Sequence, residues 1–296
     1  MSLSNKIDFA VVFRVTNANP NGDPLNGNRP RTTYDGLGEL SDVCLKRKIR
    51  DRLMDSGQAI FVQSDDRKTD NHVSLRSRAD AILKGVKTRE ESAKMACKTW
   101  MDVRTFGQLF AFQASGSKKG KGQDAEGAPD DKSVSIGIRG PVSVQSAFSV
   151  SPVSITSIQI TKSVSGEGDG SKRGSDTMGM KHRVDCGTYV FFGSMNPQLA
   201  VRTGFSDADA EAIKSVLPRL FENDASSARP EGSMEVLKVI WWKHNCASGQ
   251  ASSAKVHRSL TVNDTDDAEN LLVFATGTGP SDSIDNWPRP EIIDGK

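Results

Sequence analysis

The stretch Ile7-Asp8-Phe9-Ala10-Val11-Val12-Phe13-Arg14-Val15 decides the fold. Ile7, Phe9, Val11, Phe13 and Val15 alternate on one face, the period-two pattern of a half-buried strand. The run Asn17-Ala18-Asn19-Pro20-Asn21-Gly22-Asp23-Pro24 ends it, because each proline lacks an amide donor and restricts the residue before it. A helix is predicted to begin at Ser41 and run through Leu53. Ser41 is its N-cap, Asp42 sits in its first turn, and Leu45, Ile49 and Leu53 form one apolar stripe. Lys46 and Arg50 flank one edge of the stripe, Lys48 and Arg52 the other. A basic helix edge beside a turn rich in free amides suits a phosphate backbone, although charge on a solvated helix face is also ordinary.

Outward from this unit, residues 67–94 carry eight basic residues against four acids and read as a polar, largely helical insertion, anchored by Trp100 to Phe110. Residues 115–133 have the composition of a loop. Strand patterns return at Val134, Ile136 and Ile138, then at Val142 and Val144, and again from Val153 to Ile160. A glycine-rich tract at 165–174 lies between two strand-like arms, and Thr188 to Phe192 is a buried strand. Ser206-Asp207-Ala208-Asp209 starts a helix through Phe221, tightened at Pro218. Val236 to Trp242 is a further strand, and Leu271 to Phe274 an edge-strand candidate. Without the insertions the order is strand, helix, strand, strand, helix, strand: an α+β chain with the split βαβ pattern of ferredoxin-like and RNA-recognition folds.

The net charge of +2 divides unevenly. From His257 onward three bases face eight acids, giving −5, which leaves +7 on the preceding residues. That asymmetry suits a body that binds polyanion. The four cysteines have no paired spacing, so neither disulfides nor zinc are expected. No signal pattern or membrane-length apolar run occurs, and the chain reads as soluble and cytoplasmic. Gly166, Gly168, Gly170 and Gly174 lack the order of a nucleotide-binding loop, and no cofactor is expected. Lys181, His182 and Arg183 offer phosphate contacts, while Met178 and Met180 are either core packing or a soft apolar wedge that parts stacked bases. Tyr189, Phe191 and Phe192 read as core rather than stacking platforms, and of Trp241 and Trp242 at most one can be exposed. Asp23, in Asn21-Gly22-Asp23-Pro24, fits turn chemistry.

Several blocks together resemble the CRISPR-associated backbone subunit of Cascade, type I-C branch. They are Asn19 to Pro24, Asp42 to Arg50, Gly140 to Gln145, Lys181 to Asp185, Ser194 to Pro197 and Ala228 to Met234. The resemblance spans residues 7 to about 245 and rests on the order and spacing of the blocks. It implies an RNA-recognition-like palm (1–59 and 134–275), a helical fingers insertion (60–133), a β-hairpin thumb (156–184) and a tail (276–296). It further implies a non-catalytic, multi-copy protein that coats CRISPR guide RNA as a helical filament. Its other partners would be target DNA by way of the guide, further copies of itself, and the guide-end cap, large and small Cascade subunits. Carried over, the guide contacts fall on Ser41, Lys46 and Arg50, on Arg29 and Arg31, and on Met180 and Lys181 with His182 and Arg183 beside them. Val103, Phe106, Gly107 and Gln108 match the segment that lies against the guide. The rival expectations are a metal-dependent ribonuclease using Asp23 or Asp35, and a monomeric RNA-recognition module. Because Lys46 and Arg50 sit at the edge of the apolar stripe, replacing both with alanine should cut guide occupancy and filament length while leaving the fold intact.

Overall fold

In this computed structural model, strand β1 (Ile7–Ala18) runs through the middle of the main sheet with an antiparallel partner on each side. The structure describes residues 1–86, 88–111, 135–161, 178–265, 267–282 and 286–296. After β1, a short ladder of β2 (Gly22–Asp23) and β3 (Arg29–Pro30) leads to β4 (Leu37–Leu40) and helix α1 (Asp42–Asp55). Helices α2 (Leu75–Leu83), α3 (Arg89–Thr99) and α4 (Met101–Phe106) follow, and β5 (Gly107–Ala111) pairs with β6 (Ser135–Arg139). Then β7 (Val142–Val144), β8 (Ala147–Pro152) and β9 (Ile155–Thr161) precede the long β10 (Met178–Met195). Helices α5 (Pro197–Thr203) and α6 (Asp207–Val216) come before β11 (Met234–Lys243). Helix α7 (Ser253–Arg258), the ladder of β12 (Leu260–Val262) with β13 (Leu272–Phe274), and β14 (Pro290–Asp294) follow. The main sheet has the order β14-β11-β1-β10-β8-β4, with β7 and β9 also on β10, and every pairing is antiparallel.

The odd-numbered side chains of β1 build the larger core. Phe9, Val11, Phe13 and Val15 meet Leu45, Ile49 and Leu53 of α1 and Ala210, Ile213 and Val216 of α6, all fully buried. Phe9 stacks on Trp241 at 5.7 Å, and Phe13 on Tyr189 at 5.3 Å. Phe9 faces Gly193 across the ladder, where a Cβ would fall 2.2 Å from the ring, so only glycine fits there. Tyr189, Phe191 and Trp241 are thus core on this face.

β1 is not half-buried, as its alternation suggests. Ala10 and Val12 are buried too, under Ile240, Trp242, Val256 of α7, Leu260 and Leu271. The sequence hides this second cover because its segments are short: α7 has six residues. Leu272–Phe274 does not join the main sheet but pairs with β12 above it. Trp241 and Trp242 point to opposite faces, and neither is exposed. Into this second layer the chain also buries an ionic cluster. Asp8, fully buried, is 2.9 Å from His244 Nε2, 3.4 Å from His257 Nε2 and 3.3 Å from Lys6 Nζ. The Gln250 amide donates to His244 Nδ1, so the Nε2 proton of His244 faces Asp8. Burial by itself would raise the Asp8 carboxyl. The hydrogen bond from His244, the nearby His257 and Ser253 side chains and the Lys6 charge outweigh it and hold the carboxyl well below the usual aspartate range.

Other expectations meet the structure in detail. Ser206 and Asp209 form a reciprocal capping box, and Pro218 tightens the end of α6 into a 3-10 turn. The tail supplies β14, which pairs with β11 and covers that flank of the sheet. A third apolar cluster, Phe61, Ala96, Trp100, Val103 and Phe110 among its members, holds the α2–α4 segment together. The loop at 115–133 and the whole glycine-rich tract at 165–174 lie outside the described residues.

Candidate nucleic-acid interface

The loop after β1 folds back on the start of α1 through side-chain hydrogen bonds. Ser41 Oγ accepts from the Cys44 amide at 3.3 Å, making it the N-cap the sequence predicts. Asn21 Oδ1 accepts from both the Ser41 amide (2.9 Å) and the Ser41 hydroxyl (3.1 Å). Asn19 Nδ2 donates to the Asn28 carbonyl at 2.7 Å. Asp23 accepts from the Leu25 amide and pairs with Arg31 at 3.5 Å, which is turn chemistry. Asp35 sits exposed in the turn between Thr33 and Gly36. Arg29 is exposed without an acidic partner among the described residues, and its strand lies beside β10. No three His, Cys, Asp or Glu side chains converge as metal ligands among those residues.

Every basic residue of α1 has an aspartate partner. Lys46 reaches Asp42 at 2.8 Å and Arg47 reaches Asp51 at 3.2 Å, both along the half-buried outer surface of the helix. Lys48 and Arg52, which helical spacing places at a solvent edge, are buried against Asp224 and Asp55. Their long stems lie along the apolar layer while the heads find carboxylates at its rim.

Arg50 is different in kind. Its Nε donates to Asp102 at 2.9 Å, and its guanidinium lies over the Phe106 ring at 5.0 Å. Asp102 is 1% exposed and also accepts the amides of Phe61 (2.7 Å) and Val62 (3.0 Å). Asp102 and Phe106 are four residues apart on α4, hence on one face of it. Arg50 and Phe106, 56 residues apart in sequence, thus form one cation–aromatic surface beside Lys46. Gly107 closes α4 at φ 81°, and a Cβ there would lie 2.2 Å from the Ile138 carbonyl oxygen. Gln108 follows on β5, half-buried, while Val103 is buried in the third cluster.

The β9–β10 ribbon has two unlike faces. Met178 pairs with Thr161, Met180 with Gln159 and His182 with Ser157, so these share one face; Lys181 with Ile158 and Arg183 with Thr156 share the other. Met178 and Met180 are 65% and 55% exposed, so they are not core side chains. His182, near the ribbon base, is buried, with Nδ1 2.8 Å from Ser157 Oγ. Lys181 is exposed without an acidic partner among the described residues, and Arg183 lies 3.7 Å from Asp185. The three adjacent cationic positions are therefore split by strand alternation, with His182 turned inward. Spacing carries no signal of the pairings made by Asp102, Asp224 and Asp209, because each lies far along the chain from the base it holds.

A family model described as CRISPR-associated protein Cas7 matches residues 5–275. The chain is 28% identical over 254 residues to the "CRISPR-associated protein Cas7" of Haloferax volcanii, covering 81% of this chain and 71% of that protein. Among solved structures it is similar to a chain of a "CRISPR RNA-guided surveillance complex, pre-nicking" (TM-score 0.47, 15% identity, 88% of this chain and 82% of the other). It is also similar to a chain of a "CRISPR RNA-guided surveillance complex" (TM-score 0.41, 14% identity, 88% and 77%).

Proposed function

This chain belongs to the CRISPR-associated Cas7 family, and from that premise we propose that it is the guide-coating backbone subunit of a Cascade surveillance complex of the type I-C branch. The observation that carries the reading is the half-buried rim of α1 and α4, where Lys46 and the Arg50–Phe106 pair form a solvent-accessible cationic and aromatic strip. Such a strip contacts phosphates and sugars without reading base edges. Ser41 and Asn21 hold the loop that carries Arg29 and Arg31 at the head of this flank. The exposed Met178 and Met180 suit a thumb that parts stacked bases, with Lys181 on the opposite face for the backbone.

The strand order β11-β1-β10-β8, with α1 and α6 on one face, supports a ferredoxin-like palm. We keep residues 60–133 as fingers and 156–184 as thumb, and add β14 from the 276–296 tail to the palm sheet. In this reading several copies repeat head to tail along one guide, making an open helical filament whose bases stay free to pair with target DNA. The subunit is non-catalytic, works in the cytoplasm, and meets the guide-end cap, large and small subunits of its complex.

The test is the native mass of the purified protein, with the length of any RNA it carries, with and without magnesium. A ladder of whole-number copies on intact RNA is expected. A single copy whose RNA shortens when magnesium is added would replace this reading with a metal-dependent ribonuclease acting through Asp23 or Asp35.

A further inference from the structure

On the far side of α4 lies a second basic groove that the guide interface does not use. Arg104 is two residues from both Asp102 and Phe106, so it projects away from α1. It crosses to α6 and pairs with Asp209 at 2.7 Å, while Nη1 reaches the Cys97 carbonyl at 3.4 Å. This neutralised pair helps form the floor of a groove between α3 and α5. Lys94 and Lys98 stand on one side, and Arg202, in the last turn of α5, on the other. All three are exposed, and none has an acidic partner within 4 Å among the described residues. That sets them apart from α1, where every base is paired with an aspartate. The acids of α3, Glu90 and Glu91, lie in its first turn, outside the groove lining.

We propose that this groove binds the phosphate backbone of a second nucleic-acid strand, distinct from the guide. Lys94 and Lys98 are about 6 Å apart along the helix axis, close enough to serve neighbouring phosphates of one extended strand. The lining residues include no aromatic ring, so contact rests on charge and carries no base preference. The neutral Arg104–Asp209 floor leaves the three positive side chains of the two walls uncompensated, which favours a polyanion over a short acidic side chain or a single ion. The groove belongs to one copy of the chain, so its chemistry stands apart from the proposed filament. If that reading holds, the groove recurs once per copy and forms a track on a different side of the fingers from the guide. A duplex opened by guide pairing releases a strand that needs such a track.

The experiment compares the parent with a Lys94→Ala, Lys98→Ala, Arg202→Ala variant, each purified with its RNA and titrated with a fluorescent single-stranded DNA of unrelated sequence at several salt concentrations. The variant should keep its RNA and thermal midpoint but bind the DNA roughly tenfold or more weakly, with a log–log salt slope shallower by about 2. A Lys94→Arg, Lys98→Arg, Arg202→Lys variant should bind like the parent, which separates charge from fold. Unchanged DNA affinity and slope in the alanine variant would overturn the proposal. So would RNA lost in step with DNA affinity, which would make the groove part of the guide path, or polyglutamate of equal charge displacing the DNA as well as unlabelled DNA does. A parent that carries no RNA would sink the proposed function, while the same DNA titration on that RNA-free chain still decides the groove.

Discussion

At the scale of single residues, Lys46 and Arg50 separate two roles that look alike in the sequence. Lys46 pairs with a half-exposed neighbour on its own helix, an interaction of little net worth. Arg50 neutralises a carboxylate that is 1% exposed and lies across the core rim. Lys46→Ala should therefore leave the urea midpoint in place and make the salt dependence of RNA binding shallower by about one contact. Arg50→Ala should cost about 3 kcal/mol in urea unfolding, because it leaves the Asp102 charge buried and unpaired. Arg50 is thus not the simple edge residue that helical spacing suggests. Equal midpoints for the two single variants would refute the distinction. Asp102 could not be found from spacing: it falls in a short helix of mixed sequence, and its partners Phe61, Val62 and Arg50 come from two other segments.

Elements with one strong periodic signal were legible, and those defined by contact with a distant segment were not. β1, α1 and β11 formed where their patterns predicted, although β1 is covered on both faces, and Ser41 and Ser206 capped the helices they were read to cap. α5 and α7 are too short to show a stripe, and β14 opens on a proline with Ile292 and Ile293 as its only apolar residues. The ribbon of β9 and β10 stood between: its strands were legible, but its sequence left Met178 and Met180 open as core or wedge. Exposure of both side chains favours the wedge, and this yields a prediction for the element. Met178→Ser with Met180→Ser removes no charge, so RNA affinity should stay within about twofold and the salt slope should not change. In the proposed filament, 2-aminopurine at guide positions unstacked by the thumb should fluoresce more brightly than in free RNA, and the double substitution should return it to the free level. A pattern unaltered by the double substitution would show that other side chains part the bases.

For the whole molecule, the buried Asp8 cluster pins the second layer to the sheet. Its carboxyl is held below the ordinary range in the folded state, so it contributes stability above the unfolded aspartate pKa of about 3.9, and that contribution fades as pH falls below it. Asp8→Asn should lower the thermal midpoint at pH 7, by about 2 kcal/mol of stability, and the gap from the parent should narrow as pH drops from 5 to 3. Parallel pH profiles for the two proteins would show that Asp8 does not carry this dependence. The same strand has a consequence in time. Ile7 is hydrogen-bonded into a ladder whose partners, Met195 and Lys243, lie in the second half of the sequence. During synthesis β1 leaves the ribosome long before either neighbour exists, and it waits as an apolar, strand-forming segment with both edges open. Closing loops of that length is slow, so folding should lag behind translation, and the nascent chain needs shielding until its last third has been made.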